Sequence, residues 1–192
     1  EAVKYGFCSV ITQPYYIKKV RELLKGSGIL AGSVIGFPFG CETTETKLFQ
    51  AERALKSGAQ EIDMVIGMPA FKNGRLKEAE EEIRQIASLG APVKVIIETS
   101  LLTEEEIIAA CKVCIGGGAA FVKTSTGFFG GGATVENIKL IKKTVGDKIK
   151  IKAAGGIRTI DDVIAMVESG ADRIGTSGGV KIAEGLTNLK EY

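Results

Sequence analysis

The sequence predicts an α/β fold, a parallel (β/α)8 barrel of the TIM type that lacks its first βα unit in this chain. Three observations carry that expectation. Short β-rich runs alternate with longer amphipathic runs, the pattern of βα units feeding a parallel sheet. A recurring phrase ends one helical run and opens the next strand: Ser57-Gly58-Ala59, Gly118-Ala119 and Ser169-Gly170-Ala171. Ionisable residues stand where strands end, which is where a parallel barrel opens its active site.

In chain order, Tyr5-Gly6-Phe7 looks like the same phrase, so the chain opens in the tail of a helix and enters a strand over Phe7–Thr12. An amphipathic run over Tyr15–Lys25 leads to the strand Ile29–Ile35, and the run Thr43–Ser57 leads to Glu61–Ile66. The next helices, Leu76–Leu89 and Thr103–Ile115, precede strands at Val93–Ile97 and Ala120–Lys123 respectively. Val135–Val145 leads to Ile149–Ala153, and Ile160–Ser169 leads to Arg173–Gly175. A glycine just past a helix accepts the left-handed cap conformation, which lets the chain turn directly into a strand. Seven strands in 192 residues fall short of the about 250 residues usual for a closed barrel. A barrel without its first unit accounts for this; an open doubly wound sheet is the alternative. Either way, residues 1–192 read as a single domain.

Composition narrows the function classes. Twenty-five basic and 23 acidic residues leave a net charge of +2, which is no electrostatic footprint for nucleic acid or a membrane surface. No apolar run reaches the roughly eighteen residues of a membrane span, and no signal peptide is read at the start, although Glu1 in place of Met fits a trimmed chain. Four cysteines are too few for a disulfide scaffold and favour a reducing compartment, the cytoplasm. Cys111 and Cys114 form a C-x-x-C late in a helical run, where two buried structural thiols are the simpler reading than a redox pair. Histidine is absent. Ser-His and Cys-His nucleophiles and a His-ligated zinc are therefore excluded, and proton transfer falls to Asp, Glu, Lys, Tyr, Cys or water. Neither a metal nor another cofactor is expected.

Lys123 and Lys152 end consecutive strands, so they are expected to be neighbours across the barrel mouth. A nearby cation and a dry site both favour the neutral amine, the form that attacks a carbonyl. The other reading has both lysines reaching solvent or pairing with Asp63 or Glu98. Asp63 interrupts an apolar run, Ile62-Asp63-Met64-Val65-Ile66, and either relays protons or orients a lysine. Lys150 shares strand parity with Lys152, and pattern gives it no role. Gly155-Gly156 and Gly175-Thr176-Ser177-Gly178-Gly179 follow the last two strands. Loops at those places bind phosphate in many barrels, through backbone N–H groups that glycine leaves accessible, although tight turns alone would also use glycine. Gly130-Gly131-Gly132 reads as a mobile or closely packed segment.

Several segments together resemble the deoxyribose-phosphate aldolase family. They are Val34-Ile35-Gly36-Phe37-Pro38, Glu61-Ile62-Asp63-Met64-Val65-Ile66 and Lys94-Val95-Ile96-Ile97-Glu98-Thr99, followed by Phe121-Val122-Lys123-Thr124-Ser125-Thr126-Gly127-Phe128. Lys152-Ala153-Ala154-Gly155-Gly156-Ile157-Arg158-Thr159 and Arg173-Ile174-Gly175-Thr176-Ser177 complete the set, in order along the chain. The resemblance implies reversible cleavage of 2-deoxyribose 5-phosphate to glyceraldehyde 3-phosphate and acetaldehyde, with no metal. It implies Lys123 as the Schiff-base lysine, Lys152 as the lysine that keeps it deprotonated, and Asp63 as the proton relay. Gly127, Gly155, Gly156, Gly175 and Ser177 match phosphate-loop positions, and Thr126 lies near the substrate. A phosphosugar is then the ligand, and a homodimer is compatible with the family. The chain departs from the family at Gly67, where Asn is common, at Gly178, where Ser is common, and at Ile11, where Cys is common. The family's first strand, with its Asp-His-Thr-like segment, has no counterpart here.

Overall fold

The computed structural model describes residues 1–189, and side chains as far as residue 185. The elements in order are α1 (Ala2–Tyr5), β1 (Ser9–Thr12), α2 (Ile17–Leu23), β2 (Leu30–Ile35), α3 (Thr44–Lys56) and β3 (Glu61–Val65). Then come α4 (Met68–Lys72), α5 (Leu76–Ala87), β4 (Val93–Ile96), α6 (Glu104–Gly116) and β5 (Phe121–Lys123). The last are α7 (Val135–Val145), β6 (Lys150–Ala154), α8 (Ile160–Glu168), β7 (Arg173–Gly175) and α9 (Gly179–Leu189). No described helix is long and apolar enough to cross a membrane.

The seven strands are parallel and hydrogen-bonded in sequence order, β1 through β7. A doubly wound sheet reverses strand order partway across; this sheet does not, so the barrel-type reading holds. The sheet is strongly curled. Arg173 on β7 donates from Nη1 to Glu61 Oε2 on β3 at 2.9 Å, although four strand spacings of about 4.8 Å separate those strands in a flat sheet. Only curvature brings the two side chains together.

Strand parity divides the sheet into two faces. Ile62, Met64, Val95, Val122, Ile151 and Ala153 point outward into the main core. There they meet Ile83 and Ile86 of α5, Ile107 and Ala110 of α6, and Ile138 and Ile141 of α7. Cys111 and Cys114 are buried in the same layer. Burial pushes the Cys111 thiol up to about 12 and Cys114 higher than its usual range, so both are inert structural side chains. The opposite parity faces the concave interior and carries the charges described below.

Local chemistry explains the element ends. Thr43, Thr103, Thr134 and Thr159 each accept a backbone N–H at a helix start, and Thr103 with Glu106 and Thr159 with Asp162 form capping boxes. The glycines of the recurring phrase, Gly6, Gly58, Gly118 and Gly170, all have positive φ, the conformation that the turn from helix to strand demands. The helix expected over Tyr15–Lys25 is shorter because Pro14 opens a 3-10 turn over Pro14–Tyr16. Two helices escaped the pattern: α4 is only five residues long, and α9 begins inside a glycine-rich stretch. Buried Lys47 on α3 ties the end of β3 in place, donating to Val65 O (3.1 Å), Gly40 O (3.3 Å) and Glu82 Oε1 of α5 (2.9 Å).

Candidate active site

The register places the interior charges. Asp63 lies opposite Lys94, Phe121 opposite Lys150, and Lys123 opposite Lys152, which lies opposite Arg173. Since β3 to β7 curl around one axis, the side chains converge. Asp63 Oδ2 accepts from Lys123 Nζ at 2.8 Å and from Lys152 Nζ at 2.7 Å. Its other oxygen, Oδ1, lies 3.1 Å from Lys94 Nζ, which is also 2.9 Å from Glu61 Oε2. These last two contacts are close ion pairs without hydrogen-bond alignment, since Lys94 Nζ and Asp63 Oδ1 have no aligned partner. Asp63, Glu61, Lys94, Lys123 and Lys152 are all buried; Lys123 is the most open, at 7% exposure.

Electrostatics follow from this geometry. Burial alone would raise the Asp63 carboxyl, but the Lys123, Lys152 and Lys94 ammoniums outweigh it and hold the group well below the ordinary carboxylate range. Burial pulls the Lys152 ammonium down, Asp63 opposes, and Lys123 and Lys94 push it down further, to about 8. Both mouth lysines share one carboxylate oxygen, Asp63 Oδ2. Such an arrangement can present a neutral amine beside a proton donor near neutral pH.

The remaining expected positions fall around this centre. Glu98, just past β4, has a positive φ of 54° although it is not glycine. Its buried carboxylate accepts from Thr126 N (2.9 Å), Thr126 Oγ1 and Ser100 Oγ (3.1 Å), which fixes Thr126 in the loop after β5. A non-glycine residue in that region persists where its surroundings over-determine it, commonly at functional sites. Gly155 packs backbone to backbone against both Gly127 and Gly132; Ala133 N donates to Gly155 O at 3.0 Å. Of the triple glycine, Gly131 and Gly132 are closely packed, against Ser100 and Gly155, whereas Gly130 is open. Gly156 follows with positive φ. Gly175 lies against the stem of Lys152, where a Cβ would come within 2.9 Å of Cε. Ser177 is exposed in the short loop before α9. That loop is tied to the one after β6 by Thr176 Oγ1, which donates to Ile157 O at 2.7 Å.

Lys150 receives its explanation here. It opens β6 at the far end of the strand from Lys152 and sits 5.9 Å from the centre of the Phe121 ring, which also faces Lys94 and Arg173. Three residues joined to the centre were not singled out from sequence: Lys94, Glu61 and Arg173. A signal was available, since Glu61 and Asp63 share parity on one strand and Lys94 interrupts Val93-Lys94-Val95 at a fully buried position.

The likeness of the chain to known proteins points to one family. Residues 1–185 match the model of the DeoC/LacD family aldolases. The chain is 50% identical over 194 residues to the deoxyribose-phosphate aldolase of Staphylococcus epidermidis, covering 100% of this chain and 88% of that protein. It is 50% identical over 196 residues to that of Thermococcus gammatolerans, covering 99% and 87%. Among solved structures, an aldolase designated QR15 superposes with a TM-score of 0.95 at 42% identity, over 98% of this chain and 86% of that one. The deoxyribose phosphate aldolase of Aeropyrum pernix, described as having a unique tetrameric structure, gives 0.90 at 34%, over 98% and 81%. Fold and likeness together define the class: an enzyme of the lyase type, an aldolase on a parallel α/β barrel. The chain belongs to the DeoC/LacD aldolase family.

Proposed function

We propose that this enzyme reversibly cleaves 2-deoxy-D-ribose 5-phosphate to D-glyceraldehyde 3-phosphate and acetaldehyde through a Schiff base on Lys123. The observation that carries the reading is the pair of buried amines, Lys123 and Lys152, on a single oxygen of Asp63. The names of the relatives support the substrate.

In this reading the neutral amine of Lys123 attacks the C1 carbonyl, and the carbinolamine loses water to give the iminium. The C3 hydroxyl gives up its proton as the C2–C3 bond breaks, and the electron pair moves into the iminium to form an enamine. Protonation at C2 and hydrolysis release acetaldehyde and regenerate the amine. Lys152 and Asp63, in contact with Lys123 and with each other, accept and return the protons. Thr126 borders the substrate. The phosphate lies against the backbone N–H groups of Gly127, Gly155, Gly156 and the Gly175 loop, with the Ser177 hydroxyl and the N-terminal end of α9. Residues 1–192 act as one domain in the cytoplasm on a free phosphosugar. Self-association, a homodimer in our reading, has a parallel in the tetrameric Aeropyrum pernix relative.

Borohydride reduction in the presence of deoxyribose 5-phosphate, followed by peptide mass spectrometry, tests the proposal. The expected adduct is on Lys123 and disappears in Lys123→Leu. An adduct on another lysine, or none, would overturn it. An adduct with other phosphorylated aldehydes but not with this sugar would reassign the substrate.

A further inference from the structure

The concave interior carries more positive than negative charge. Strands β1 and β2 contribute no ionisable residue; β3 supplies Glu61 and Asp63, β4 Lys94, β5 Lys123, β6 Lys150 and Lys152, and β7 Arg173. Lys150 sits exposed at the far end, and Glu98, past β4, is committed to Thr126 and Ser100. Two carboxylates therefore face four cations, Lys94, Lys123, Lys152 and Arg173. When all four carry protons, two positive charges lack a counter-ion in a region of low dielectric, a costly state.

The contacts show how the carboxylates are shared. Arg173, which cannot lose its charge, takes Glu61 Oε2 at 2.9 Å. Lys94 bridges the same Glu61 oxygen and Asp63 Oδ1. We infer that Lys94 and Arg173 occupy the charge of the two interior carboxylates, so that the Lys123–Lys152 pair is left under-compensated and sheds a proton to solvent. Lys94 and Arg173 are thus positioning residues that act through Asp63 and Glu61 and touch no substrate. The burial of Lys94, at 0% exposure, makes its charge hard for solvent to screen. The purpose of the device rests on the imine reading above; the charge balance rests on the geometry alone.

Trace labelling with acetic anhydride between about pH 6 and pH 11, read at the Lys123 and Lys152 peptides by mass spectrometry, tests the balance without any substrate. In Lys94→Met, Asp63 becomes free to compensate the pair, and the labelling midpoint rises by about one pH unit or more. Arg173→Met moves it the same way by less, because Lys94 then leans toward Glu61. The charge-conserving double variant Lys94→Met with Glu61→Gln returns the midpoint toward wild type. A merely structural role would lower the extent of labelling without moving the midpoint. Unchanged midpoints in whichever of Lys94→Met and Arg173→Met folds would overturn the inference. Borohydride trapping on the wild-type chain runs beside it: shifted midpoints with no Lys123 adduct would sink the aldolase reading and leave the charge balance standing.

Discussion

At the scale of single residues, Asp63 is the hinge of the site, since among the described residues it alone touches Lys94, Lys123 and Lys152. Asp63→Asn keeps the shape and removes the charge that holds the two amines together. Its kcat is expected to fall by about 10²- to 10⁴-fold, the range for loss of a proton-transfer group, in a steady-state assay of deoxyribose 5-phosphate cleavage. The same residue makes an acid-stability prediction. Its folded carboxyl is held below the unfolded value of 3.8, so its contribution is fully present above that pH and is lost as pH falls through the folded value. Urea unfolding between about pH 5 and pH 2 is expected to show a steeper loss for wild type than for Asp63→Asn. Equal slopes would mean that the carboxylate is not stabilised in the fold. Lysine 123 and lysine 152 were legible from sequence because an ionisable residue closing an apolar strand has few bland explanations. Lys94 was passed over because it sits inside its strand, where a charge is tolerated only if partners surround it, and those partners come from β3.

At the scale of elements, the site depends on loops that approach without side chains between them. The loop after β5 meets the loop after β6 at Gly132, where an added Cβ would come within 2.4 Å of Gly155 O. Gly132→Ala must therefore separate the two loops. If these loops hold the phosphate, KM for deoxyribose 5-phosphate rises by about tenfold or more, while turnover of unphosphorylated deoxyribose changes little, as expected for lost ground-state binding. Parallel losses on both sugars would place the loops in the chemistry instead. The glycine-rich loops were readable as loops, and their place after the last strands suggested an anion. Which glycines touch was not readable, because loop-to-loop contact follows from the curl of the sheet. Gly175 illustrates the difference: its place in the motif suggests phosphate, whereas its surroundings also show it making room for the Lys152 stem.

At the scale of the molecule, the Glu61–Arg173 contact joins β3 to β7 across the concave face. A double-mutant cycle on Glu61→Gln and Arg173→Met, read by urea unfolding, is expected to give a coupling energy of about 0.5–3 kcal/mol. Additive effects would mean that the curl is held by the outer helix layer alone. That layer is apolar and continuous, from Ile83 on α5 to Ile141 on α7.

Element order, strand parity and the helix caps were written in local spacing. A period of two puts Glu61 with Asp63, and Lys150 with Lys152, on one face of their own strands, and Gly58 or Gly118 turns a helix into a strand within three residues. The pairing of the charges was not local. Asp63 and Lys152 are 89 positions apart, and Glu61 and Arg173 are 112 apart. Their meeting depends on the register of every intervening strand and on the curvature that closes the sheet toward its own interior, quantities set by the packing of the whole chain.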